Sequence, residues 1–174
     1  MADKKRYRSA LRTERLLREA YVSLAQKGER LSVAALCREA DLNRTTFYTH
    51  YNNVEELEAD LTGGLMTGLG DVVSAALGDD GQHDPARVVE AVASYVEKNR
   101  PLLRLLLTSA GSFEFGDELR TSLLKAVGGS ELAAMVRFDY VAGALASVYR
   151  TWVLGQYGDV PVADINRAVV QLVV

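Results

Sequence analysis

The sequence predicts an all-α protein: an N-terminal three-helix helix-turn-helix domain followed by a C-terminal helical bundle, about nine helices in all. Three observations predict it. Apolar residues recur at intervals of three and four, while the alternation of a half-buried strand is scarce. The three prolines, Pro85, Pro101 and Pro161, each stand where a helix can begin, a position that has no use for the missing N–H. Capping residues and glycine breaks fall between the periodic stretches.

The first helix is expected over roughly 8–27. Leu17, Ala20, Tyr21 and Leu24 form its apolar stripe, and Lys27-Gly28 supplies the stop. Ser32 is a good N-cap for a second helix with the stripe Val33, Leu36, Cys37 and Ala40, ending at Asp41-Leu42. Asn43 is expected to cap a short third helix over 44–50, and Asn53 a fourth that opens with Glu55 and Glu56. Acids there suit the helix dipole. Leu57, Leu61, Leu65 and Leu69 carry the fourth stripe, with Gly63, Gly64, Gly68 and Gly70 in or beside it. Those glycines imply either close packing or a bend between two modules. Residues 77–84 read as a loop. Further helices fit 85–99, 101–110, about 115–128, 131–157 and 162–173, with breaks at Gly111 and Gly128-Gly129.

The net charge of −3 hides an asymmetry. Residues 1–51 hold 11 Lys and Arg against six Asp and Glu; residues 52–174 hold nine against 17. A +5 segment on a −8 body suggests an anion-binding module joined to something else. The single cysteine, Cys37, excludes an internal disulfide and a cysteine-based metal site. With charge at the start where a signal peptide needs an apolar run, and no apolar stretch of about 18 residues, the expectation is a cytoplasmic protein without a membrane partner. The two histidines, His50 and His83, are far apart, and no HExxH, GxSxG, P-loop or GxGxxG context occurs. No enzyme, cofactor or metal is expected; Asp79, Asp80, His83 and Asp84 read as solvated acid in a glycine-bearing loop.

The second and third helices are short and joined by about three residues, which is helix-turn-helix spacing. One helix crosses the sugar-phosphate backbone and the next presents its first turns to the major groove. Asn43, Arg44, Thr45, Thr46 and Tyr48, at or near the start of the third helix, offer an amide, a guanidinium fork, two hydroxyls and a phenol. These groups can reach base edges or phosphates.

Residues 31–57, LSVAALCREADLNRTTFYTHYNNVEEL, resemble the DNA-binding segment of the tetracycline-repressor (TetR) family. CREADLNRTTFYTHY is most like a subgroup with C-x-x-A-x-x-N-R-[ST]-T-F-Y-x-H-Y. The resemblance covers the first four helices, about a third of the chain. It extends more weakly to YVEKNRPLLRLLL (95–107) and YVAGALASVYRTWVLGQYGDVP (140–161). It implies that Phe47 and Tyr51 pack inward and that Tyr48 and His50 touch the DNA backbone. It further implies that Arg44, Thr45 and Thr46 face the operator, and that Ser32 starts a helix abutting the backbone. Lys4, Lys5, Arg6 and Arg8 would form an N-terminal arm near the minor groove. Two positions depart from the family pattern: Asp41 where glycine is usual in the turn, and Val54 where lysine often contacts phosphate. Aspartate tolerates the left-handed conformation better than most residues, so the turn is expected to survive.

The helix over 131–157 is apolar around most of its girth, so it needs cover on more than one side. With the last helix it offers Gly143, Ala144, Val148, Trp152, Ile165, Val169 and Leu172 for a four-helix contact between two copies. By position, Tyr95, Leu102, Arg104, Leu106, Phe113, Phe115, Tyr140 and Tyr149 would surround an effector pocket. The expectation is a DNA-binding domain over 1–52 and an effector-sensing, dimerising domain over 53–174. Together they make a homodimeric regulator, a repressor, on a palindromic duplex operator, modulated by a small molecule or a protein partner. The alternative is a protein-interaction module of the same fold with weakened DNA readout.

Overall fold

The computed structural model describes residues 2–77, 84–108, 117, 120–121 and 132–173. Among them are eight α-helices and no strand: α1 (Ala2–Gln26), α2 (Val33–Glu39), α3 (Arg44–Tyr48), α4 (Val54–Leu77), α5 (Pro85–Lys98), α6 (Arg100–Thr108), α7 (Leu132–Val153) and α8 (Val162–Val173). The all-α expectation holds. The helix expected over about 115–128 lies almost wholly outside the described residues. Two compact units are present, Met1–Gly63 and Gly64–Val174, and α4 contributes to both. No described helix is long and apolar enough to cross a membrane.

In the first unit α1 packs on α2, and α2 on α3. Leu17, Tyr21, Leu24, Leu36, Phe47 and Leu57 form a core with at most 1% of each residue exposed. The stripe read from the sequence is therefore the buried face of α1. Burial, then the charge of Glu58 and a hydrogen bond to it, push the Tyr21 phenol up to about 12. That phenol is a neutral donor at any physiological pH. At the end of α1, Gly28 has φ +68°, its N–H donates to Ala25 O (3.1 Å), and Glu29 N–H donates to Leu24 O (3.0 Å). This is a Schellman stop, which satisfies carbonyls left over by the last turn. The Glu39 carboxylate on α2 then accepts from Ser23 Oγ (2.7 Å) and Lys27 Nζ (2.8 Å), tying the two helices at their ends.

α1 starts at Ala2, not near residue 8. Residues 2–10 contain no glycine, proline or β-branched residue, so nothing in them resists helix. The basic run Lys4, Lys5, Arg6 and Arg8 thus lies within α1, which corrects the expected start of that helix.

In the second unit α5 packs against α6, α7 and α8, and α7 against α6 and α8. Asp84 caps α5 by accepting from Ala86 N (2.9 Å), with Pro85 at the first helical position. Val92, Val96, Leu102, Leu103, Leu106, Leu145, Tyr149, Trp152 and Val153 are buried. The Tyr149 hydroxyl lies 2.8 Å from Asn166 Oδ1 and 3.3 Å from Val89 O, joining α7 to α8 and α5. Trp152 Nε1 donates to Val160 O (2.7 Å), and the Arg100 guanidinium lies 4.0 Å from the centre of the Trp152 ring.

Candidate nucleic-acid interface

The short helix α3 is held from behind. Phe47 is fully buried and meets Tyr51 at 5.9 Å and Tyr48 edge-on at 5.6 Å between ring centres. This is the inward packing that the resemblance implied for Phe47 and Tyr51. The opposite side of α3 is open: Asn43, Arg44 and Thr45 are exposed, Thr46 is half-buried and Tyr48 is 56% exposed. A helix of five residues could not persist alone, so the buried aromatic ring is what fixes the exposed groups in place.

The turn into α3 survives without glycine. Asp41 has φ +52°, the one non-glycine residue at positive φ among the described residues. Leu42 N–H donates to Cys37 O (2.8 Å) and Asp41 N–H to Arg38 O (3.4 Å). α2 therefore ends in the same Schellman pattern as α1, with aspartate at the left-handed position.

Ser32 caps α2 as expected, its hydroxyl accepting from Ala35 N at 3.2 Å. Asn43 stands at the N-cap of α3 in extended conformation, but its side chain makes no capping hydrogen bond. That corrects its expected role and leaves the amide exposed. Asn53 caps α4 through Oδ1, which accepts from Glu56 N (2.7 Å). Glu56 reaches back to Asn52 N (2.7 Å) and Nδ2 (2.8 Å), a reciprocal arrangement of the capping-box type. Those bonds hold its carboxyl below the usual range, the backbone bond most of all. Val54 opens α4 half-buried, so no cation stands at that position.

His50 lies just past α3 with its side chain 18% exposed, Nδ1 being 3.7 Å from Glu14 Oε1 on α1. The Tyr51 hydroxyl donates to Asp60 Oδ2 (2.7 Å). Burial first, then the Asp60 bond and charge, then Glu14 and Glu56, push the Tyr51 phenol well above its ordinary value. Glu14, His50, Tyr51, Glu56, Ala59 and Asp60 line one cleft. Sequence reading missed Glu14 and Asp60, since nothing in spacing links residues 14, 50 and 60.

Cys37 is buried. Burial raises its thiol, against a smaller lowering from Arg44, so it behaves as a small core residue.

In the second unit, Leu102, Leu106 and Tyr149 are core, and Tyr95 donates to Leu65 O (2.8 Å). Arg104 is exposed, as is Tyr140 at 76%. Phe113 and Phe115 lie outside the described residues. Of the residues assigned to a contact between copies, Trp152 and Val169 are buried within the chain itself, Val148 and Ile165 are half-buried, and Gly143, Ala144 and Leu172 are exposed. A helix apolar all round does not tell its own core face from its free face, and that ambiguity misplaced Trp152 and Val169. The free face of α7 instead carries Leu132, Val136, Tyr140, Gly143 and Ala144 at spacings of three and four, all exposed. Among the described residues no group of three or more His, Cys, Asp or Glu is arranged to hold a metal ion.

No protein-family model and no curated protein matches the chain. A solved structure does: the dihydroxyacetone kinase operon activator DhaS is 19% identical over 92% of this chain and 93% of its own, with a TM-score of 0.69. At that identity the likeness is one of fold, and it supports the helical architecture that the resemblance implied.

Proposed function

We propose that the chain is a DNA-binding transcriptional regulator that reads a palindromic duplex as a homodimer. The observation that carries this reading is α3 itself. A fully buried Phe47 anchors a five-residue helix whose other side offers Arg44, Thr45 and Tyr48 to a partner. A guanidinium, a hydroxyl and a phenol on a rigid platform suit base edges and phosphates. Residues 1–52 are the reader, with Ser32 starting the helix that abuts the backbone and with the basic residues of α1 supplying phosphate contacts. Residues 53–174 pair two copies through the exposed apolar stripe of α7 and the end of α8, and they sense an effector. Regulation is repression, by occupation of a promoter.

The test is selection of bound duplexes from a random library, followed by titration against salt. The expected product is a two-fold symmetric site whose affinity falls steeply with salt, each phosphate contact adding about 0.9 to the logarithmic slope. Arg44→Ala should weaken the selected site more than random duplex. A salt-insensitive complex with another protein, and no duplex binding, would replace this reading with that of an interaction module. Transcription that falls when the chain is deleted would reverse the sign of regulation.

A further inference from the structure

The groups around His50 are one-sided in charge. Lining the same cleft are Glu14 from α1, Glu56 and Asp60 from α4, and Tyr51, whose hydroxyl is already donated to Asp60. Nδ1 is on the Glu14 side at 3.7 Å. Nε2 has no hydrogen-bond partner among the described residues, and no buried side-chain nitrogen or oxygen among them is left unbonded. Nε2 therefore opens to solvent.

We propose that Glu14, 3.7 Å from His50 Nδ1, is a positioning residue for duplex binding: it closes on Nδ1–H as the duplex binds and so presents Nε2–H to a phosphate oxygen, with one proton taken up by His50. The proposal rests on the duplex-reading function above. The proton count follows from the donor inventory. A neutral imidazole has one N–H, so donating to a carboxylate and a phosphate at once requires the imidazolium. The proton comes from solvent, so affinity must rise as pH falls. Glu14 touches no phosphate itself, and its effect is exerted through the ring.

The test uses the full chain and its best selected duplex at constant salt between pH 8 and 6. Wild-type affinity should rise with acidity, the ceiling being about tenfold per pH unit for each proton taken up. His50→Gln should flatten the profile. Glu14→Gln, which keeps the ring, should lose at least half of the gain. Because the chain has two histidines, His50 and His83, imidazole proton resonances assigned with His50→Gln give a direct readout. At pH 7 the duplex should move the His50 signal toward the imidazolium position in the wild type and much less in Glu14→Gln. Parallel pH profiles for the wild type and Glu14→Gln overturn the role of Glu14 and leave duplex reading intact. Absence of salt-sensitive duplex binding at either pH overturns both.

Discussion

A Cβ built on Gly68 of α4 would stand 2.5 Å from the hydroxyl oxygen of Tyr95 on α5, and 3.1 Å from the ring carbon that bears it. The same hydroxyl donates to Leu65 O at 2.8 Å. The missing side chain is what lets a phenol lie against the helix and reach a carbonyl inside it. Gly63 and Gly64, five and four positions earlier, face open space.

Gly68→Ala and Gly64→Ala should therefore move stability in opposite directions. At Gly64 alanine gains about 0.5–1 kcal/mol from helix propensity and unfolded-state entropy. At Gly68 the ring must shift. The lost hydrogen bond and overpacking cost about 2–3 kcal/mol against that gain. Thermal melts should show a higher Tm for Gly64→Ala and a lower Tm for Gly68→Ala. Adding Tyr95→Phe to Gly68→Ala should recover part of the loss. Equal melting of the two alanine variants would show that the contact is inconsequential.

Asp41 occupies the left-handed position that closes α2. Glycine there should stabilise the first unit by about 0.5–1 kcal/mol, and valine should destabilise it by about 1–2 kcal/mol. Urea unfolding of the three proteins checks the order. A valine variant as stable as the wild type would mean that the turn relaxes elsewhere.

The Glu39 carboxyl lies below its ordinary value, held there by hydrogen bonds from Lys27 and then Ser23. A carboxyl lowered by folding contributes stability that is present above its unfolded value and lost as pH falls through its folded one. The tie between α1 and α2 should thus weaken in acid, below about pH 4.3. Glu39→Gln should be less stable than the wild type at pH 7, with the gap narrowing as the pH falls below about 4.3. A gap that stays constant with pH would refute the role of the ionised form.

Tyr140→Glu places a charge on the exposed stripe of α7, where the native side chain is 76% exposed in the single chain. Such a substitution costs the folded monomer little. In a dimer that buries the stripe, it leaves a charge without a partner. Sedimentation at micromolar concentration should show the wild type as dimer and the variant as monomer, with the helical content unchanged. A variant that remains dimeric would move the pairing surface elsewhere.

Much of the fold is legible in the sequence because its signals are local. Ser32, Asn53 and Asp84 cap the helices they precede, and Gly28 closes α1. The left-handed turn at Asp41 was also readable, from the tolerance of one residue type for one conformation. The start of α1 was not: its first turns lack an apolar stripe, and charged residues can propagate a helix without announcing it. The burial of Trp152 and Val169 was hidden for the opposite reason, since α7 and α8 show apolar residues on several sides. The reason for Gly68 was hidden because it depends on Tyr95, 27 positions away, and the cleft around His50 because it joins α1 to α4. Contacts between distant positions leave no mark in spacing.

Trp152 is the chain's one tryptophan, and it belongs to the second unit, 2% exposed, with its indole N–H bonded to Val160 O. Light absorbed at the red edge of the protein band excites that indole alone, since tyrosine does not absorb there. The chain thus carries an intrinsic optical label on its C-terminal unit and none on its N-terminal unit. Emission from Trp152 reports opening of the bundle and is blind to melting of α1–α3. A comparison of indole emission with total helical signal separates the two events without any attached dye.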